Sequence, residues 1–197
     1  MSAAGRTPRT KPAEERRAEL MDAAERLFLE LGFAPTTVEQ ITDAAGVAKG
    51  TFYLYFSSKD ALRTALGERY GEAHLARTTA AMARASGWRG RLLGWLTGSV
   101  DFYLDSIELH DMLFHQGRSP TRAGLTDNLV TDQLEELLRS GAAAGAWAVP
   151  QSRAAAVFIF AGVHAVIDDA VSRQRRVNRP RLVRLAAALA ARAVAAG

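Results

Sequence analysis

Residues 49–56 combine two aromatic side chains at helical spacing with polar side chains of the kinds that bind nucleic acid. Phe52 and Phe56 are four residues apart, so on a helix both face one side and can anchor it to a core. The side chains left on the outer face can contact phosphates and base edges: Lys49, Thr51, Tyr53 and Tyr55. A helix that reads a DNA groove needs this division between a buried and a polar side.

The residues before this segment predict the elements that position it. Thr37 and Gln40 have the spacing of a capping box, which begins a short helix. Ile41, Ala44 and Ala45 are expected to face inward, and Gly46 permits a tight turn into the next helix. Two short helices joined in this way and packed on a preceding helix form a helix-turn-helix.

The remaining sequence also predicts helices, and no strand pattern competes with them. Residues 13–31 and 89–109 each show apolar side chains at helical spacing, and 89–109 is expected to form one helix buried on several sides. Residues 153–173 contain a long apolar run that suits a core helix better than a membrane span. Pro180 suits the first turn of a last helix. We expect an all-α fold of about nine helices, with no membrane partner.

Composition excludes several classes of protein. The chain has no cysteine, which excludes disulfides, thiolate metal sites and cysteine nucleophiles. Its net charge is +4, yet residues 12–60 hold five basic and nine acidic side chains. The net charge is therefore weak evidence for DNA binding, which has to be argued from the positions of individual charged side chains. The basic N-terminus lacks an apolar stretch, which predicts a cytoplasmic protein.

From Ala23 to Leu62 the sequence resembles the DNA-binding domain of the TetR (tetracycline-repressor-like) family of bacterial transcriptional regulators. The matching residues are Ala23, Ala24, Leu27, Phe28, Gly32, Phe33, Thr36, Thr37, Val38, Ile41, Ala45, Gly46, Val47, Gly50, Phe52, Tyr53, Tyr55, Phe56, Ser58, Lys59 and Leu62. Thr42 departs from the usual alanine. The rest of the chain resembles the family in length and helical layout only.

The resemblance implies a role for each residue of the motif. Thr37 would cap the first motif helix and donate to a phosphate, while Tyr55 and Lys59 would meet phosphates. Lys49 and Thr51 would reach base edges, Gly50 would allow close approach of the backbone, and Tyr53 would contact a base. Arg6, Arg9 and Lys11 would form an arm able to enter the minor groove, although an arm without DNA contact is an equal alternative.

The resemblance also implies an organisation and a mode of action. Residues 1–12 would be a flexible basic arm, 13–60 the helix-turn-helix domain, and 61–197 a helical effector-binding and dimerisation domain. The last two helices would form the face of a homodimer that binds double-stranded operator DNA with inverted-repeat symmetry. A small-molecule effector would release the operator, so the expected activity is repression.

Aromatic and histidine residues of the C-terminal part are the candidates for an effector site, with ordinary core packing as the alternative for each. They are Trp95, Phe102, Tyr103, His110, Phe114, Trp147, His164 and Asp168. His164 and Asp168 are four residues apart and share one helix face, where they could orient a ligand or, less favoured, bind a metal together with His110 and His115.

Two other classes of function are the alternatives. A helical dimerisation or adaptor protein would explain the helical body but not residues 49–56. A metal-dependent enzyme would need converging ligands and a base, and no nucleophile elbow, phosphate loop or His-Glu-x-x-His pattern occurs in the sequence. We therefore assign no catalytic residue, no metal and no cofactor.

Overall fold

The computed structural model describes residues 12–115, 128–173 and 176–194, which form nine helices and no strand. They are α1 (Ala13–Leu31), α2 (Val38–Ala44), α3 (Lys49–Tyr55), α4 (Lys59–Ala83), α5 (Gly87–Asp105), α6 (Ile107–Phe114), α7 (Leu129–Ala143), α8 (Ser152–Arg173) and α9 (Arg179–Ala193). The predicted all-α fold of about nine helices is confirmed. The proposed arm with Arg6, Arg9 and Lys11 lies outside the described residues.

The chain divides into two compact units, one up to Gly67 and one from Glu68 onward. This division falls inside α4, seven residues after the boundary predicted at residue 60. In the first unit α1 packs on α2, and α2 packs on α3. Its core includes Phe28 of α1, Ile41 of α2 and Phe52 of α3, all at most 1% exposed. Burying one such side chain contributes roughly 1.5–3 kcal/mol, so this small core fixes the angle between α2 and α3.

The turn between α2 and α3 has the predicted origin. Gly46 adopts φ +66°, a left-handed conformation that glycine takes without strain. The Val47 backbone N–H donates to the Thr42 carbonyl oxygen at 2.9 Å and closes the end of α2. One expectation was wrong: Ala44 is exposed, and Ile41 and Thr42 are the buried side chains of α2. The Thr42 hydroxyl donates to the Glu39 carbonyl at 2.9 Å, which satisfies it inside the core.

The second unit is built around α5, α7, α8 and α9. Trp95, Tyr103, Leu134 and Ile167 lie at its centre and are at most 1% exposed. Trp147 follows α7 and packs over Gly141, where a Cβ atom would lie only 2.1 Å from the indole ring. The described residues of this unit supply the aromatic and histidine side chains singled out in the sequence.

The single helix predicted over residues 89–109 was wrong, because the helix is broken at Ser106. The Ser106 hydroxyl donates to the Phe102 carbonyl oxygen at 2.6 Å, and its backbone has φ −126° and ψ 24°. A serine side chain that bonds the preceding turn competes with the helical ladder. As a result α6 starts in a new direction and carries His110 and Phe114 as a separate element.

By length and composition α8 could cross a membrane, since a window of it has a mean hydropathy of 1.8. Core helices of globular proteins pass the same test. In this unit α8 buries one stripe of side chains, which consists of Ala156, Ile159, Val163, Ile167 and Ala170. Much of the rest of this apolar helix remains exposed, including Phe158 at 68%.

Candidate nucleic-acid interface and ligand cluster

The capping box predicted for α2 is formed. The Gln40 backbone N–H donates to Thr37 Oγ1 at 3.2 Å, and the Thr37 backbone N–H donates to Gln40 Oε1 at 2.8 Å. These two bonds satisfy donors that a helix N-terminus leaves open. Thr37 is exposed, so its hydroxyl is accessible at the surface as well as capping the helix.

The helix α3 has one buried and one open side, as the spacing predicts. Phe52 is fully buried and Phe56 is 4% exposed, with ring centroids 5.7 Å apart. Tyr53 is 54% exposed, Thr51 and Tyr55 are half-buried, and the space where Gly50 would carry a Cβ atom is empty of protein atoms within 4 Å. The polar candidates are thus held on a rigidly anchored helix.

Leu54 is a surface residue that the sequence analysis missed. It is 80% exposed, more than any other large hydrophobic side chain in the described ranges. An apolar side chain beside Tyr53 on an open helix face can contact a thymine methyl group. The only available signal was its position between two aromatic residues on a helix that buries Phe52 and Phe56.

Lys49 is paired within the protein. Its Nζ donates to Oε1 of Glu39 on α2, and both side chains are exposed. The hydrogen bond from Lys49 lowers the pKa of the Glu39 carboxyl, and the same bond raises the pKa of Lys49. The ion pair therefore joins the start of α3 to α2 and offsets the one positive charge of α3.

Lys59 has structural partners that the sequence did not reveal. Its Nζ donates to the carbonyl oxygens of Phe33 at 2.6 Å, Ala34 at 3.1 Å and Thr36 at 2.6 Å. Three acceptors use all three donors of an ammonium group. Burial lowers the pKa of Lys59. The predicted phosphate contact stays a prediction, and the side chain already ties the start of α4 to the loop before α2.

In the second unit, rings from α4, α5, α6 and α8 meet in one group, which we call the aromatic–histidine cluster. Its members are Tyr70, His74, Phe102, Tyr103, His110, Phe114, Phe160 and His164. His74 stacks on Phe102 with centroids 4.7 Å apart, and His110 lies 4.4 Å from Tyr103. Five of the eight predicted ligand residues belong to this cluster, and Asp168 joins it by accepting a hydrogen bond from the Tyr103 hydroxyl at 2.6 Å.

His164 and Asp168, predicted to share a helix face, have different hydrogen-bond partners. His164 Nδ1 lies 2.9 Å from the Phe160 carbonyl oxygen, whereas Asp168 is bonded to Tyr103. His74 and Tyr70 were not among the ligand candidates, because each lies on α4 among polar neighbours and gives no signal of its own in the sequence. His74 Nε2 lies 3.2 Å from Ser99 Oγ.

Burial sets the charge of the cluster. It lowers the pKa of His74 to about 3 and that of His110 to about 4, and it also lowers the pKa of His164. It raises the pKa of Tyr70 to about 12. The imidazoles are therefore neutral at pH 7, and the cluster suits an uncharged, hydroxylated or aromatic molecule better than an anion.

The two tryptophans have separate places in the unit. Trp147 donates its indole N–H to the Leu138 carbonyl at 2.7 Å, and its ring contact in the described chain is with Trp88. That environment is structural. Trp95 is fully buried, and its Nε1 has no hydrogen-bond partner in the described ranges. Such an unmatched donor is costly in a core.

The fold and the first unit together define a class: a helical protein with an N-terminal helix-turn-helix. Residues 20–66 match the family of bacterial regulatory proteins described as the tetR family. This match lies within the first unit.

Some known proteins resemble the chain in sequence and others in fold. Over 67 residues it is 43% identical to the HTH-type transcriptional regulator TtgR of Pseudomonas putida, covering 34% of this chain and 32% of that protein. Two solved structures share the fold over most of their length. The fatty acid degradation regulator FadR from Bacillus halodurans has a TM-score of 0.73 and 23% identity, covering 92% of this chain and 96% of that one. RolR in complex with resorcinol has a TM-score of 0.70 and 22% identity, covering 96% and 92%.

The matches to the curated relatives cover only part of each protein. The chain spans 19% of the length of YerO of Bacillus subtilis and 43% of the length of FasR of Mycolicibacterium smegmatis. These two matches cover 28% and 51% of this chain, whereas the solved structures share the fold over most of it.

Proposed function

We propose that this protein is a sequence-specific, DNA-binding transcriptional repressor that a small-molecule effector releases from its operator. The observation that carries the proposal is α3, a helix locked to the core by Phe52 and Phe56 that presents Tyr53 and Leu54 to solvent. A rigid helix with an open polar and aromatic face is the element that enters a major groove. Its place of action is the cytoplasm, where operator DNA lies.

The DNA contacts are assigned residue by residue. Thr37 and Tyr55 contact phosphates, Lys49 and Thr51 reach base edges, and Tyr53 contacts a base. Gly50 supports these contacts because nothing lies within 4 Å of the position where its Cβ would be, so the DNA backbone can approach closely. Lys59 acts on DNA chiefly by holding the loop at residues 33–36, from which α2 begins.

The proposed homodimer uses the open side of α8 and α9. Phe158 and Leu189 are 68% and 43% exposed and line an apolar groove that includes Gly162 and Val166. Leu185, on α9 with Leu189, is 47% exposed. Exposed apolar patches of this kind mark protein interfaces. A two-fold axis through this face would pair two copies of α3 for an inverted-repeat operator.

The effector site is the aromatic–histidine cluster with Asp168. Since RolR binds resorcinol, a molecule with an aromatic ring and hydroxyl groups, a ligand of that general chemistry fits the neutral imidazoles and the Asp168 carboxylate here. No catalytic role is proposed for these side chains.

The test is enrichment of random duplex DNA on the purified protein, followed by sequencing and by titration of the enriched operator. An enriched inverted repeat with steep salt dependence is expected. Tyr53→Ala should cost about 1–3 kcal/mol of operator binding, since it removes a base contact. Leu29→Ala, a truncation of an exposed residue on α1, is the matched control and should leave binding unchanged. If no sequence is enriched even after refolding away any bound effector, the chain is not a DNA reader.

A further inference from the structure

The side chains of His110, Asp111 and His115 converge at the end of α6. Asp111 Oδ1 lies 3.1 Å from His115 Nδ1 and 3.4 Å from His110 Nδ1. One donor atom from each of the three residues lies within 4.8 Å of the other two. A single carboxylate oxygen therefore stands between two imidazole nitrogens.

These separations match the ligand shell of a transition metal. With bonds of about 2.0–2.1 Å, two ligands of a tetrahedral ion are roughly 3.3 Å apart. The two separations that involve Asp111 Oδ1 lie close to that value, and the donor atoms of the two histidines lie within 4.8 Å of each other. Asp111 and His115 are four residues apart on α6 and would pair on any regular helix, whereas the sequence neighbours His110 and Asp111 do not ordinarily face each other, so the presence of His110 at the same oxygen is the distinctive feature.

We propose that His110, Asp111 and His115 bind one divalent first-row transition-metal ion, such as Zn²⁺. Two imidazoles and one carboxylate are a ligand set that such ions accept, and three protein ligands leave at least one position for water or for an oxygen atom of a small molecule. The proposal does not depend on DNA binding, and it adds a site to the aromatic–histidine cluster through their shared residue, His110.

The surroundings of the three ligands suit a metal. His110 is 8% exposed and packs on Tyr103 and Phe114, which fixes its ring. The Asp111 and His115 side chains are 51% and 54% exposed, so an ion can enter from solvent.

The experiment is a titration of the full chain, stripped of metal by a chelator, with Zn²⁺ in a calorimeter and with Co²⁺ followed by its visible absorption. The wild type should bind one ion, and bound Co²⁺ should show the intense bands of tetrahedral coordination. Asp111→Asn and His115→Ala alter exposed side chains and should each weaken the binding at least tenfold. Glu108→Gln removes an exposed charge from the same helix and should leave it unchanged.

Two results would overturn the proposal. One is binding of Zn²⁺ with the same affinity by Asp111→Asn, His115→Ala and Glu108→Gln, which would place the ion elsewhere. The other is the absence of saturable binding by the wild type. Circular dichroism of each variant shows that it is folded, so a loss of binding can be assigned to the ligands. Operator binding by the metal-free protein is measured separately, which keeps a failure of this site distinct from a failure of the proposed repressor function.

Discussion

At the scale of single residues, the charges around α3 are more nearly balanced than the sequence suggests. Lys49 is the one positive side chain on that helix, and Glu39 is bonded to it. A carboxylate at this place repels the phosphates that Lys49 would attract. We expect the pair to weaken nonspecific DNA binding and to leave the distinction between sequences to contacts such as that of Tyr53.

Glu39→Gln should strengthen operator binding by about twofold to tenfold at low salt, with a smaller gain at high salt, because a negative charge near the DNA is removed and Lys49 is released. The measurement is a fluorescence anisotropy titration of labelled operator at two salt concentrations. Glu30→Gln, an exposed acid on α1, is the control for a general change in net charge. An equal gain in both variants, or weaker binding by Glu39→Gln, would contradict this role of the pair.

The structural roles predicted for single residues were confirmed where those roles depend on neighbouring positions in the sequence. Thr37 and Gln40 define their capping box within four residues, and Phe52 and Phe56 define the buried side of α3 by spacing alone. The partners of Lys59 lie more than twenty residues away, so no local pattern could predict them. For the same reason, the sequence did not predict α6 as a separate helix or its place in the aromatic–histidine cluster.

At the scale of elements, the predicted helices differ from the observed ones at one serine. Ser106 lies in a run that keeps its apolar spacing on both sides, and neither glycine nor proline marks a break. At Ser106 the backbone leaves helical geometry, with φ −126° and ψ 24°, and the hydroxyl donates to the Phe102 carbonyl oxygen. That break moves His110 onto a new helix beside Tyr103, and the cluster depends on it.

The contact between α7 and Trp147 gives an element-scale prediction. Gly141→Ala would place a Cβ atom 2.1 Å from the indole ring, so the ring must shift and its hydrogen bond to Leu138 must distort. We expect a loss of about 1–3 kcal/mol in the free energy of unfolding, measured by urea denaturation.

Gly71→Ala is the matched control, since nothing lies within 4 Å of the position where its Cβ would be. Alanine favours a helix over glycine, so this variant should gain about 0.5–1 kcal/mol. Equal stability of the two variants would mean that Trp147 adapts without cost.

At the scale of the whole molecule, His74 couples stability to pH. Its pKa is about 3 in the folded protein, against an ordinary value of 6.5, so the unfolded chain binds the proton more tightly. The contribution of His74 to the free energy of unfolding is therefore fully present above pH 6.5. Below that value it decreases with the pH, by roughly 1.4 kcal/mol for each pH unit. The neighbouring groups Ser99 and His164 offer no carboxylate to offset the charge.

Lowering the pH from about 7.5 to about 5.5 should reduce the free energy of unfolding of both proteins. We predict that the reduction is smaller in His74→Gln than in the wild type, by roughly 1.4 kcal/mol. Urea denaturation at both values measures the difference, whatever the substitution costs at pH 7.5. A comparison between about pH 7.5 and 8.5, where the imidazole is neutral in both states, is the control and should show no such difference. The same pH dependence in variant and wild type would show that His74 is not the group responsible.

The last property of the whole molecule is the proposed homodimer, whose interface we place on α8 and α9. Leu189 lies by the apolar groove between these helices and is 43% exposed, so Leu189→Arg would place a charge without a partner at the centre of the proposed interface. We expect sedimentation to show monomers at concentrations where the wild type is dimeric, and operator binding to fall at least tenfold because each half-site is then bound alone. Leu93→Arg on α5 changes an equally exposed leucine, 47%, outside this face and should retain both properties. If Leu189→Arg remains a dimer that binds its operator while Leu93→Arg does not, the interface lies on α5, and the operator half-sites must be spaced for a different pairing of the two recognition helices.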